Sequence, residues 1–218
     1  MKCCILTCHS ATNEPIARLT AENTWLYSAR HGYDLLTARM DWSDCKANFP
    51  ARIAELLPLY DVVMTIGSDV LFMNPYLKIE DFLVDGDSVV MAREDIGEHD
   101  KGWSLINNDV MIWRNTAGSK AVIDRIVADS AIWLTYPQLW QRHLQNMILG
   151  PDAVSEIAAS VRLVPPRAIN ASNYLGVVEK QSKWQMGDWI YHAVCGTNED
   201  KYSRLRYYVE MAKAAGLG

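Results

Sequence analysis

The sequence predicts an α/β fold built on a mostly parallel central sheet with helices on its faces. Three observations carry that expectation. Short apolar runs rich in β-branched residues alternate with amphipathic runs in the order strand, helix, strand, helix, strand over the first 66 residues. The spacing suits crossover connections between parallel neighbours. The stretch DVVMTIGSDVLFMNP, Asp61 to Pro75, also sets a lone carboxylate between two apolar pieces at a strand end. An unpaired charge is too costly to bury, so Asp69 is expected to open into a cleft with a cation to meet it.

Taken in order, Lys2 to Thr7 is predicted as the first strand, with Thr7 to Ser10 at its carboxyl end. Asn13 to Arg30 has helical spacing and stops at His31-Gly32. Tyr33 to Met40 reads as a strand, Asp41 to Phe49 as polar and irregular, and Pro50 to Leu57 as a short helix with Pro in its first turn. Asp61 to Ile66 is the next strand, and Val70 to Met73 resumes it after the Gly67-Ser68-Asp69 break. Asp87 to Ala92 and Leu105 to Trp113 are predicted strands, separated by a charged loop from Arg93 to Gly102. Helices are expected over Ser119 to Ser130, Tyr136 to Leu149 and Ala153 to Ala159. After a strand at Val161 to Val164, an irregular region runs from Pro165 to about Gly187. Asp188 to Val194 is a strand carrying His192, and Lys201 to Ala215 a closing amphipathic helix.

Composition narrows the function classes. The 218 residues suit one domain, residues 1–218, and half of them are apolar while 22% are charged. The formal net charge of −5 gives no electrostatic footprint for nucleic acid or an anionic membrane. No apolar run approaches the roughly 18 residues of a membrane span. The five cysteines form no CxxC pair, which fits a reducing, cytoplasmic setting, with Cys3, Cys4 and Cys8 packed in or near the first strand. There is no GxGxxG, no P-loop and no GxSxG elbow, which argues against dehydrogenases, P-loop NTPases and α/β-hydrolases.

Ligands of such sheets bind beyond the carboxyl ends of the strands, where Thr7 to Ser10 and Gly67 to Asp69 both fall. Asp69 is therefore either an oxygen ligand for Mg²⁺ or Mn²⁺ or a turn cap. His192 is either a satisfied core histidine or a neutral imidazole suited to Mn²⁺. Asn107, Asn108 and Asp109 interrupt an apolar strand, so they either build a bulge or hold a polyhydroxylated ligand. Arg93, Lys101 and Lys201 are either phosphate contacts or solvated surface charges.

Four segments, in order, resemble the metal-dependent GT-A glycosyltransferases, most closely the galactosyl-, mannosyl- and xylosyltransferases of glycosyltransferase family 34. ENTWLYSARHGYDL (Glu22 to Leu35) looks like that family's early helix and His-Gly-Tyr, and FPARIAELLPLYDVVMTIGSDVLFMNP (Phe49 to Pro75) like its Asp-x-Asp segment. LINNDVMIWRNT (Leu105 to Thr116) is similar to its Asn-x-Gly strand, and GDWIYHAVCG (Gly187 to Gly196) to its Gly-Asp-Phe-x-x-His motif. The resemblance implies a single Rossmann-like GT-A domain, a nucleotide-sugar donor (UDP-linked), Mn²⁺ or Mg²⁺, and transfer with retention. By position it implies Asp69 and His192 as metal ligands and Asn107 facing the donor sugar. Thr7 falls beside the base and Gln141 near the sugar. The donor surface also takes in Cys8, Gly67, Ser68, Asn108 and Lys201, with Asp109, Gln141 and Asp188 as candidate catalytic groups.

Three departures stand out: Gly67 replaces the first Asp of Asp-x-Asp, Leu139 and Trp140 precede Gln141 where acidic residues are expected, and Asp109 stands where Gly is usual. They leave open a non-catalytic donor- or glycan-binding domain on the same fold. A nucleotidyltransferase is a third reading, without the Gly-rich, Lys-containing loop it needs. The acceptor is expected to be a glycan or glycoconjugate, with a modified DNA base as a further option, in a virus, phage or bacterium.

Overall fold

A computed structural model describes residues 1–39, 42–94, 105–136, 138–151, 153–173 and 182–217. Its strands are β1 (Cys3–His9), β2 (Asp34–Arg39), β3 (Val62–Ile66), β4 (Val70–Phe72), β5 (Val89–Arg93), β6 (Ile106–Arg114), β7 (Val161–Val164) and β8 (Ile190–His192). The helices are α1 (Glu14–His31), α2 (Trp42–Leu56), α3 (Ala117–Ala128), α4 (Ser130–Trp133), α5 (Leu139–Leu149), α6 (Ser155–Ala159), α7 (Pro166–Ile169) and α8 (Asn198–Ala214).

Six strands form the central sheet in the order β2-β1-β3-β6-β5-β7, and β4 pairs with β8 in a separate two-stranded ladder. Within the large sheet, β6 runs antiparallel to both of its neighbours and the other pairings are parallel. The mostly parallel sheet read from the sequence is therefore present. Both faces of the inner strands β1, β3, β5 and β6 are largely buried, as their continuous apolar runs require, while the edge strand β2 is mostly exposed. Val62, Met64 and Ile66 of β3 pack into one core with Ile16 and Tyr27 of α1 and Leu205 of α8. Val63 points the other way, into a second core with Ile53 of α2, Val122 of α3 and Leu144 of α5.

Helix α1 does more than cover the sheet. One of its faces holds the chain that follows β3, with Thr20 donating to the Ser68 carbonyl at 2.8 Å. Asn23 clasps Phe72 on both sides, donating to its carbonyl at 2.9 Å and accepting from its N–H at 2.8 Å. Tyr27 donates to the Leu77 carbonyl at 2.8 Å. The helix ends at Gly32, whose φ of 70° needs no Cβ, while the Tyr33 N–H closes back on the Ser28 carbonyl at 2.9 Å. A Cβ at Gly32 meets nothing within 4 Å, so Gly32→Ala tests backbone strain alone. The expected cost is about 1 kcal/mol, read as a Tm drop of about 2–4 °C.

Several boundaries differ from the sequence reading. Helix α2 begins at Trp42, well before the expected Pro50, and carries Pro50 in its interior. The polar stretch before Pro50 hid the helix, in which Phe49 and Ile53 on either side of the proline pack into the same core. Asp87 and Asp188 fall outside β5 and β8. Helix α8 starts at Asn198, on a capping box in which Thr197 and Asp200 exchange hydrogen bonds. The irregular region after Pro165 contains α7. The loop prediction for Arg93 to Gly102 lies outside the described residues from 95 onward. Cys3 and Cys4 pack in β1, where burial pushes their thiols up to about 12 and about 11. No helix among the described residues is long and apolar enough to cross a membrane.

Candidate functional site

The β4–β8 ladder decides where the site lies. Its register sets Val70 opposite His192, so the residue before β4 and the last residue of β8 come together. Asp69 and His192, distant in sequence, meet with Asp69 Oδ1 3.5 Å from His192 Nε2. The Ala193 N–H donates to the Asp69 carbonyl at 3.0 Å and fixes the approach. His192 is 1% exposed, and its Nδ1 lies 3.0 Å from the side-chain oxygen of Asn170. That oxygen only accepts, so Nδ1 carries the proton and Nε2 faces the carboxylates.

The second carboxylate is Asp109, with Oδ2 3.6 Å from His192 Nε2. A bulge puts it there. Between Met91 and Ala92 the β5–β6 pairing jumps from Met111 to Asn107, leaving Asn108 to Val110 without partners on β5. The Asn107 side chain stabilises the bulge, accepting from the Asp109 N–H at 2.8 Å and donating to Glu94 Oε1 at 2.6 Å. Gln141 on α5 braces it from the far side, its Oε1 accepting from the Asn108 N–H at 3.3 Å. Of the two readings for the polar cluster, the bulge is what its hydrogen bonds build.

Lys201, in the first turn of α8, donates to Asp69 Oδ2 at 2.5 Å. A cation there opposes the positive end of its own helix, and Asp69 offsets the cost. Burial alone would push the Asp69 carboxyl up, yet His192 and Lys201 outweigh it and hold the group below the usual carboxylate range. Burial likewise disfavours charge on His192 and Lys201, and in both Asp69 reverses the balance and raises the pKa. The cluster is a tightly coupled set of opposite charges under a cleft.

That cleft has a volume of about 330 Å³. Cys8, Gly67, Ser68, Asp69, Asn108, Asp109, Gln141 and Lys201 all line it, so the structure brings most of the sequence candidates together. Thr7 lines an adjoining cavity of about 280 Å³ that shares Gly67 and Ser68. Asn107 and His192 lie beneath the floor, 4% and 1% exposed. Asp188 is not brought in: Arg167 grips its carboxylate at 2.8 and 3.1 Å, and it also accepts from the Gln185 N–H at 2.7 Å. Its side chain closes a turn before β8. Of the basic candidates, Arg93 is an exposed residue at the end of β5 and Lys101 lies outside the described residues.

Two supporting residues escaped the sequence reading. Glu94 sits within the range predicted as charged loop, yet burial pushes its carboxyl up and it anchors Asn107. Asn170 stands in the stretch predicted as irregular and orients His192. The only available signal was their residue type, because both partners come from elsewhere in the chain.

Among the described residues, no group of three or more His, Cys, Asp or Glu side chains could hold a metal ion. Asp69 and His192 alone offer one carboxylate and one imidazole 3.5 Å apart, a pair that Mg²⁺-type ions would have to complete with substrate phosphates and water.

No protein-family model and no curated protein matches the chain. Solved structures do. A glycosyltransferase involved in glycosylation of the major capsid of PBCV-1 superposes with a TM-score of 0.70 at 16% identity, over 95% of this chain and 100% of that one. GlyE of Streptococcus pneumoniae TIGR4 gives 0.53 at 11% identity, over all of this chain and 64% of its own. The catalytic domain of Drosophila β1,4-galactosyltransferase 7, in complex with xylobiose, gives 0.51 at 10% identity over 93% of this chain and 79% of its own. The same Drosophila enzyme, as a mutant, also has a structure with manganese, UDP-Gal and xylobiose, at a TM-score of 0.51. With its mostly parallel sheet, helices on both faces and a cleft at the strand ends, the chain has the GT-A glycosyltransferase fold.

Proposed function

We propose that the chain, residues 1–218 as one domain, is a metal-dependent glycosyltransferase. It moves a sugar from a nucleotide sugar, UDP-linked, to a glycan or glycoconjugate with retention at the anomeric carbon. The observation that carries this reading is the meeting of Asp69, which lines the cleft, with His192 beneath it at 3.5 Å, on this fold. Asp69 and His192 would hold Mn²⁺ or Mg²⁺, which when bound neutralises charge on the leaving diphosphate.

This chain's own groups do the rest. Lys201, held on Asp69 and lining the cleft, would add a second positive charge for the diphosphate. Asn170 keeps the His192 proton on Nδ1, so that Nε2 stays a ligand. Gln141 and Asp109 line the wall of the cleft, where an oxocarbenium-like sugar needs negative or amide oxygens. The adjoining cavity at Thr7 suits the nucleoside. None of the four described cysteines, Cys3, Cys4, Cys8 and Cys195, is in a disulfide, which supports the reading of a cytoplasmic protein.

A panel of nucleotide sugars with and without Mn²⁺, read by thermal shift and by release of nucleoside diphosphate, tests the proposal. The expected result is stabilisation by a UDP-sugar only when Mn²⁺ is present, with UDP released on incubation. Gly67 favours a second reading, donor binding without turnover. Stabilisation without any UDP release would select it.

A further inference from the structure

We propose that the donor sugar is a 6-deoxyhexose, and that Leu139 at the start of α5 selects it. Leu139 offers the methyl group of such a sugar an apolar wall, where a hexose would need a partner for its 6-hydroxyl. The inference rests on the nucleotide-sugar reading above and names the class of sugar for that same site.

In that reading the nucleoside takes the cavity at Thr7 and the diphosphate meets Asp69 and Lys201. The sugar is then left to the wall formed by α5, where Gln141 braces the β6 bulge. Beside Gln141 that wall is Leu139 and Trp140, joined by Phe49 from α2. Trp140 is buried in the second core, while Phe49 and Leu139 pack against that core and still line the cleft. Three apolar side chains together are costly on a wall built for a fully hydroxylated sugar. A hydroxyl pressed against them gives up water without gaining a partner.

Two further features belong to this wall. The φ of Leu139 is 51°, in the left-handed region that a bulky side chain rarely adopts. The backbone is held there from both sides: the Leu139 N–H donates to the Tyr136 carbonyl at 3.0 Å, and the next residue, Trp140, is fixed in the core. Glycine or asparagine would take that conformation at lower cost, so leucine is in place for its side chain. Next to it, Gln138 stands at the N-cap of α5, yet its side chain makes no capping bond. Its Oε1 is buried and meets no donor among the described residues, a rare state that a sugar hydroxyl would relieve. Gln138 and Leu139 thus ask for a ligand that presents a hydroxyl beside a methyl, as a 6-deoxyhexose does. An N-acetyl methyl comes tied to an amide whose N–H and carbonyl both need partners, whereas a 6-methyl brings no polar group of its own. A pentose, which has no C6, leaves the wall bare.

The test is calorimetric binding of UDP-linked sugars with Mn²⁺ present, in matched pairs. Each pair sets a 6-deoxyhexose beside its parent hexose, in the D-gluco, D-galacto and L-manno configurations, with UDP-xylose and UDP-N-acetylglucosamine as further arms. One 6-deoxy donor should bind about 10–100-fold tighter than its parent, the scale an apolar pocket reaches against an added hydroxyl, and tighter than either further arm. Leu139→Asn suits the left-handed backbone and puts an amide on the wall. It should abolish that preference without lowering Tm. A preference unchanged in Leu139→Asn would overturn the inference while leaving the nucleotide-sugar reading standing. So would a hexose, the pentose or the N-acetylated sugar binding the wild type as tightly as every 6-deoxy donor. Equal weakening of all sugars in Leu139→Asn, together with a lower Tm, would make Leu139 a scaffold residue and overturn its selecting role. A wild type that binds no UDP-sugar would overturn both readings.

Discussion

Asp69→Asn is expected to reduce Mn²⁺-supported transfer by about 10³-fold, with a parallel loss of Mn²⁺ affinity. The side chain keeps its shape but loses the charge that faces both His192 and Lys201. A divalent ion supplies several kcal/mol to a leaving diphosphate, and about 4 kcal/mol corresponds to three decades in rate. The measurement is kcat/KM for the donor identified by the nucleotide-sugar panel, at saturating Mn²⁺, with the circular dichroism spectrum as a check on folding. A variant retaining about a tenth of the wild-type rate would remove Asp69 from the chemistry, because one decade is the scale of a supporting group.

Asn23→Leu is expected to be the costliest single change to the scaffold near the site. Asn23 is buried, and its amide satisfies both the N–H and the carbonyl of Phe72 in β4. Leucine has similar bulk but leaves both backbone groups unpaired, at about 1–3 kcal/mol each. A total of about 2–6 kcal/mol predicts a Tm lower by about 4–24 °C for a chain of this length. Because β4 follows Asp69 directly and pairs with the strand of His192, donor turnover should fall along with stability. A Tm within about 2 °C of wild type would show that β4 is held by its ladder alone.

The order of elements was legible because apolar strands buried on both faces write themselves as uninterrupted runs, as Val62 to Ile66 does. Asp69 was legible for the opposite reason, as a charge in an apolar neighbourhood. His192 was ambiguous by itself, since WIYHAV reads as core. The β4–β8 register that turns it toward Asp69 is a tertiary fact. Asp188 misled because a carboxylate beside a strand looks the same whether it faces a cleft or an arginine, and Arg167 lies 21 residues away. Glu94 and Asn170 were hidden because their value lies in the partner each one meets. Pro50 illustrates the limit of local rules, since it sits inside α2 rather than in its first turn, between Phe49 and Ile53, which pack into one core.

A strand that runs backwards through a parallel sheet brings its beginning to the edge where its neighbours end. The start of β6 and the end of β3 therefore border the same floor, although they lie far apart in sequence. Positions 67 and 109 are therefore one spatial unit: the Gly67 N–H donates to the Asp109 carbonyl at 2.7 Å, and a Cβ on Gly67 would lie 3.3 Å from Asp109 Oδ1, so a change at either position is felt at the other.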